Sequence, residues 1–131
     1  MIVDTSALIA ILRQEKDFLR LVECITDTPG VHRISSATHL EAGIVSARGA
    51  RGSLFNKLSD LILNFSLQIS PFTADQSLIA INAYQVFGKG SGHPAQLNFG
   101  DCFAYALAKD LGQPLLFKGD DFSKTDIALA L

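Results

Sequence analysis

The sequence predicts an α/β fold: a central, mostly parallel sheet of about four to five short strands, flanked by helices. Three observations carry this reading. Short apolar runs alternate along the chain with longer segments whose apolar residues recur at helical spacing. The short runs are continuously apolar, as strands covered on both faces are. Asp, Ser, Thr, Gly and Pro mark the joins between the two kinds of segment.

Met1–Val3 is an apolar run too brief for periodicity to assign, and it feeds directly into Asp4-Thr5-Ser6, whose side-chain oxygens suit the start of a helix over Ala7–Arg13. Phe18, Leu21, Val22 and Ile25 give a second helix over Asp17–Thr26, broken by Pro29-Gly30. Val31–Ser35 reads as a strand. Ser36 and Thr38 read as caps for a helix over His39–Ala47 that ends near Gly49 and Gly52. Leu54–Phe65 carries an amphipathic stripe of Leu54, Leu58, Leu61, Ile62 and Phe65. Leu67–Ser70 suits a strand, and Thr73–Phe87 a helix. Gly88–Pro94 is the one clear flexible loop. Phe99–Leu111 is an Ala-, Leu- and Phe-rich helix closed at Gly112. Pro114–Phe117 is a strand, Gly119-Asp120-Asp121 a turn, and Ile127–Leu131 a last short strand. No linker or repeat interrupts the series, so residues 1–131 read as one domain.

Composition narrows the function. Of 131 residues 48% are hydrophobic and 18% charged, which excludes disorder and a coiled coil. With 11 Lys and Arg against 13 Asp and Glu the net charge is −2, so the chain has no broad basic face for nucleic acid; such a role requires local chemistry or a partner's charge. Cys24 and Cys102 form neither a disulfide framework nor a zinc motif, and they read as core residues of a reduced, intracellular protein. No apolar run spans a membrane, and the apolar N-terminus lacks the basic lead of a signal peptide. A cytoplasmic location is expected.

Acids stand where a soluble surface does not call for them. Asp4 ends the first strand, Glu41 lies between Leu40 and Ala42, Asp101 starts the most apolar helix, and Asp120-Asp121 follow Leu115-Leu116-Phe117. Open parallel sheets bind ligands at the carboxyl ends of their strands. Carboxylates converging there repel one another unless protonated or bridged by a cation, and hard oxygen ligands suit Mg²⁺ or Mn²⁺. Singly, each acid has a plainer reading as a helix cap, a first-turn acid or a turn residue.

These residues carry a family resemblance. Met1-Ile2-Val3-Asp4-Thr5-Ser6-Ala7-Leu8 resembles the opening of a PIN domain, and His39-Leu40-Glu41-Ala42 its second acidic motif. Phe87–Gly90, His93–Ala95 and Leu97–Cys102 resemble VapC-type toxins, as does Leu115–Phe122 continuing to Thr125-Asp126. The match runs from residue 1 to about residue 127, and the last two motifs are the specific ones. The resemblance implies a single PIN-like domain over residues 1–131 with endoribonuclease activity, the toxin half of a toxin–antitoxin pair. Its catalytic acids map onto Asp4, Glu41 and Asp101, and the fourth onto Asp121, with Asp120 as second choice. Asp4, Asp101 and Asp121 are the implied metal ligands, for Mg²⁺ or Mn²⁺. Thr5 or Ser6 supplies the hydroxyl near the metal, and Asn98 helps position that edge. A homodimer, a VapB-like antitoxin and a structured RNA such as transfer or ribosomal RNA are the implied partners, with no membrane. A dimer groove with Arg48, Arg51, Lys89, His93 and Lys118 is expected to supply local positive potential. The apolar helices Leu8–Leu12 and Leu54–Phe65 are expected to form a groove for an antitoxin segment or a second subunit. Two alternatives remain at this stage: a phosphatase-like acidic pocket that uses Lys118, and a catalytically inactive RNA- or protein-binding PIN module.

Overall fold

Successive residues of a strand point to opposite faces of a sheet, and here that alternation sorts the apolar residues into two cores. A computed structural model describes residues 1–48 and 53–131. Strand β1 (Ile2–Val3) is an inner strand, paired in parallel with β2 (Arg33–Ser35) on one side and β4 (Leu115–Leu116) on the other. β3 (Gln68–Ser70) pairs in parallel with β2, giving the order β3-β2-β1-β4. Val3, Ile34 and Leu116 turn to one face. There they pack with Leu8 of α1 (Thr5–Leu12), Leu21 and Ile25 of α2 (Phe18–Asp27), and Leu58 and Leu61 of α4 (Ser53–Asn64). Ile2 and Leu115 turn to the other face, onto Ala83 of α5 (Ala74–Phe87) and Ala104, Leu107 and Ala108 of α6 (Asp101–Leu111). α3 (Ser36–Ala47) leaves β2 at the carboxyl edge and packs against α1, α4 and α6.

The expected helices, the parallel sheet and its four main strands are all present, with shifts at the ends that have local causes. α3 begins at Ser36, not His39, because Ser35 at the end of β2 is already the cap, its Oγ accepting from the Ala37 N–H at 3.3 Å. Ser36 and Thr38 therefore lie inside the helix. Ser36 Oγ instead accepts from Phe72 N at 3.0 Å, which ties α3 to the end of β3. The end of α3 near Gly49 and Gly52 lies outside the described residues. α6 starts at Asp101 rather than Phe99, behind an Asn98–Asp101 pair described below.

The loop expected over Gly88–Pro94 is present, and its ends are pinned together by the backbone. Lys89 N donates to Leu97 O (3.0 Å) and Leu97 N to Phe87 O (2.9 Å), which buries Ala95 and Leu97. The last strand, expected over Ile127–Leu131, reduces to one parallel bridge between Leu115 and Leu129. Around that bridge Leu115 N donates to Ala128 O (2.9 Å) and Ala130 N to Leu115 O (3.0 Å), and Ile127 fills the core; just before it, the Asp126 carboxylate accepts from Tyr105 Oη and Lys109 Nζ, each at 2.6 Å. Among the described residues no helix is long and apolar enough to cross a membrane.

Leu8 is fully buried at the centre of the first core. Leu8→Ala is expected to cost about 2–5 kcal/mol, the range for a buried leucine that leaves a cavity. Urea unfolding should show this as a lower midpoint at unchanged slope.

Candidate active site

The strand order places a topological switch point between β1 and β4: the chain leaves β1 toward β2 on one side, and β4 joins from the far side. Ligand sites of open parallel sheets lie in the crevice beyond such a point. Asp4 follows β1 there, and the turn carrying Asp120 and Asp121 follows β4. Gly119 at φ +113° lets that turn leave β4 sharply, in a conformation that side chains beyond hydrogen resist.

Asp4 does two jobs. It caps α1, its Oδ2 accepting from Ser6 N at 2.9 Å and from Ser6 Oγ at 2.6 Å. Its own N–H donates to Leu116 O at 2.9 Å, which locks it to the end of β4. Ser6 Oγ also accepts from Lys118 N at 3.0 Å, so one hydroxyl joins Asp4 to the chain leading to Asp121. The carboxyl group is buried, and its second oxygen, Oδ1, has no hydrogen-bond partner. Burial, which penalises the charged form, pushes the Asp4 pKa up to about 6; the Ser6 bonds oppose this and the Glu41 charge adds to it.

Glu41 reaches the same place from the second turn of α3. Thr5 Oγ1 donates to its Oε2 at 2.6 Å. Its carboxylate lies on the start of α6, so close that a Cβ on Gly100 would stand 2.1 Å from Oε1. Gly100 is thus the seat of Glu41. Asp101, the next residue, is held by a reciprocal pair resembling a capping box: Asn98 N donates to Asp101 Oδ2 (2.7 Å) and Asp101 N to Asn98 Oδ1 (3.0 Å). Burial and the charges of Asp4, Asp121 and Glu41 push its pKa up to about 7, against the Asn98 bond.

The charges of Asp4, Asp121 and Glu41 all bear on Asp101, and that of Glu41 on Asp4, while Thr5, Ser6 and Asn98 are each bonded to one of these acids. Asp121 is exposed at the rim. Asp120 is exposed beside it, and its carbonyl accepts from Ser123 Oγ. The expected dimer groove needs a second copy; within one chain its residues stand apart, each in its own setting. Lys118 Nζ is bonded to Glu15 Oε2 at 2.7 Å. His93 Nδ1 accepts from Ala95 N, and its ring stands edge-to-face on Phe87. Lys89 is exposed on its loop, and Arg51 lies outside the described residues. Arg48 lines a groove that Glu41 shares. Sequence reasoning missed Gly100. Its signal was a glycine placed directly before an acid at a helix start, in Asn98-Phe99-Gly100-Asp101.

The shifted acids fix a pH dependence. Asp4 and Asp101 have pKa values of about 6 and 7 in the fold against 3.8 ordinarily, so the fold holds protons that the unfolded chain has released. Their contribution to stability is complete below about pH 4 and is lost as the pH rises through 6 and 7. Asp4→Asn keeps an acceptor for Ser6 and drops the charge. Without metal it is expected to match or exceed the parent in stability at about pH 8 and to flatten the decline from about pH 5. Urea midpoints at those two pH values check this, and a variant that declines as steeply as the parent contradicts it.

Comparison with known proteins agrees with this geometry. The PIN domain family model matches residues 1–128. Ribonuclease VapC28 of Mycobacterium tuberculosis is 47% identical over 131 residues, covering 100% of this chain and 98% of its own. Among solved structures, M. tuberculosis VapC20, described as a sarcin–ricin loop cleaving toxin, superposes with a TM-score of 0.77 at 18% identity over 97% of this chain and 95% of its own. A toxin–antitoxin complex from Klebsiella pneumoniae superposes at 0.67 and 16% identity over 93% of this chain and 89% of its own. Architecture and full-length similarity agree: the chain belongs to the PIN domain family and, within it, to the VapC ribonucleases.

Proposed function

We propose that this chain is a Mg²⁺- or Mn²⁺-dependent endoribonuclease, the toxin of a toxin–antitoxin pair, and that Asp4, Glu41, Asp101 and Asp121 are its catalytic residues. One observation carries the reading: the charges of Asp4, Glu41 and Asp121 bear on Asp101 at the switch point, and Asp4 and Asp101 are pushed toward protonation. Such a cluster is unfavourable for the fold and favourable for a divalent ion. The free, buried Oδ1 of Asp4 is an acceptor waiting for one. Among the described residues no three acidic, His or Cys side chains already form a closed ligand group. That suits an ion that keeps several waters and takes only one or two carboxylates directly.

Asp4, Asp101 and Asp121 would hold the ion. When bound, it supplies a water of lowered pKa and neutralises charge on the scissile phosphate. Ser6 fixes Asp4, Asn98 fixes Asp101, and Thr5 with Gly100 fixes Glu41, which orients the attacking water. Asp121 is favoured over Asp120 because its charge bears on Asp101. Hydrolysis leaves a 5′-phosphate and a 3′-hydroxyl. The sarcin–ricin loop cleaved by VapC20 supports a structured RNA, of the ribosomal or transfer class, as substrate. Lys118, bonded to Glu15, is not available as the phosphate-binding cation that a phosphatase reading requires.

The proposal of a VapB-like antitoxin rests on a mixed groove between α1 and α4, where the partly buried Ile11, Leu12 and Phe65 stand among Gln14, Lys57, Asp60 and Asn64; Leu8–Ala10 and Leu61 of the same helices are buried. The homodimer proposal rests on exposed apolar surface. Leu78, Ile81 and Tyr84 leave an exposed apolar stripe on α5 for the second copy of a homodimer.

Purified chain freed of any partner should cut labelled total RNA into discrete fragments with Mn²⁺, and not with chelator. Asp101→Asn should reduce the rate by at least about a hundredfold while remaining folded. Full activity in the variant or in chelator would sink the scheme. Gly100→Ala is a finer probe: its methyl displaces the flexible end of Glu41, so cleavage should drop at least about tenfold with stability changed by less than about 1 kcal/mol. Light scattering at micromolar concentration should give a dimer mass, and a pure monomer counts against the α5 interface.

A further inference from the structure

Phe99 is 77% exposed, more than any other large apolar side chain among the described residues. It is nonetheless held firmly. Its ring stands edge-to-face on Phe103 (centroids 4.8 Å apart, 80°), and Phe103 stands edge-to-face on Phe72 (5.0 Å, 82°). This ladder anchors one side of Phe99 and leaves the rest of the ring to solvent.

The ring sits beside the acids. Its neighbour Gly100 is the residue on which the Glu41 carboxylate rests. Asp101 is two residues on, so the two Cα atoms are within about 7 Å. Phe99, Phe103 and Glu41 line one groove of about 440 Å³, together with Leu40, Ile44 and Arg48. A carboxylate site, an aromatic face and a guanidinium thus share one surface.

We propose that Phe99 is a stacking platform for an unpaired base adjoining the scissile phosphate, with Arg48 meeting the backbone of the same strand. This rests on the ribonuclease reading and deepens it. What favours RNA as the occupant is the place of this ring, in one groove with Glu41 of the acid site and with Arg48. The chain carries a net −2, and the Lys118 ammonium is engaged by Glu15, so phosphate attraction supplies little affinity. Base–aromatic stacking then has to supply it, and stacking serves unpaired, splayed bases in the loops that sequence-specific RNA proteins read. Arg48 complements phosphate, and the groove runs directly into the acid site.

The test uses full-length Asp101→Asn, which binds without cutting, and a fluorescein-labelled oligoadenylate of about eight nucleotides, a length within single-strand site sizes. Anisotropy should show Phe99→Leu, equally apolar but without a π face, binding about tenfold more weakly, and Phe99→Tyr binding like the parent. Because Phe99 is exposed, both variants should melt as the parent does. Equal affinity for Phe99→Leu, or no binding by the parent, overturns the platform. So does a Phe99→Leu variant whose weaker binding accompanies loss of dimer mass in light scattering, because Phe99 then belongs to a contact between copies. Cleavage of total RNA by the wild-type chain is measured separately. Cleavage with an unaltered Phe99→Leu affinity defeats only the platform, whereas absence of cleavage defeats the ribonuclease reading itself.

Discussion

Carboxylates that repel one another are held together at the carboxyl edge of a small parallel sheet, and the local architecture there is arranged around keeping them in place. Asp4 is buried and Asp101 partly so, and both resist ionisation. Folding would be easier without them. What compensates is short hydrogen bonding from neighbours fixed by the backbone. Ser6 donates twice to Asp4, Thr5 once to Glu41, and the Asn98 N–H once to Asp101. The restraints on Asp4 and Asp101 are local and come with formation of α1 and α6, whereas the Thr5–Glu41 bond spans 36 residues and needs α3 packed on α1.

The sheet contributes position more than bulk. Its described strands are only two or three residues long, yet β1 is paired on both sides and so is fixed in all directions. The Asp4–Leu116 and Ser6–Lys118 bonds then extend that rigidity past the strand ends into the loop of Asp121. The Tyr105–Asp126–Lys109 cluster secures the far end of the same loop. A site built in this way holds Asp4, Glu41 and Asp101 in place by hydrogen bonds of the fold itself.

Much of this was legible in the residues. Asp4 behind Ile2-Val3 and ahead of an apolar helix can be read from capping chemistry alone, and the structure makes it both strand end and cap. The parallel sheet follows from the alternation of short apolar runs with helices. Legibility failed where two chemistries competed for the same residue. Ser36 and Thr38 resemble caps, but Ser35 sits one step earlier, in extended backbone, and takes that role. The Gly-rich loop lacks periodicity, and nothing local reveals that Leu97 closes it from ten residues beyond Phe87. Lys118 and His93 look available as local positive charge until Glu15 and Phe87 are brought beside them.

The sequence by itself determined the element types, the parallel α/β class and the identity of the acids, because capping, helical period and apolar runs are properties of neighbours along the chain. Only the tertiary structure decided that Glu41 lies on Gly100, that β4 rather than β2 brings the fourth acid to Asp4, and that Phe99 stands exposed at their side. Those facts depend on strand order and on helices meeting across dozens of residues. The free energy that selects them is the burial of the two cores, a sum over distant partners that no local window contains.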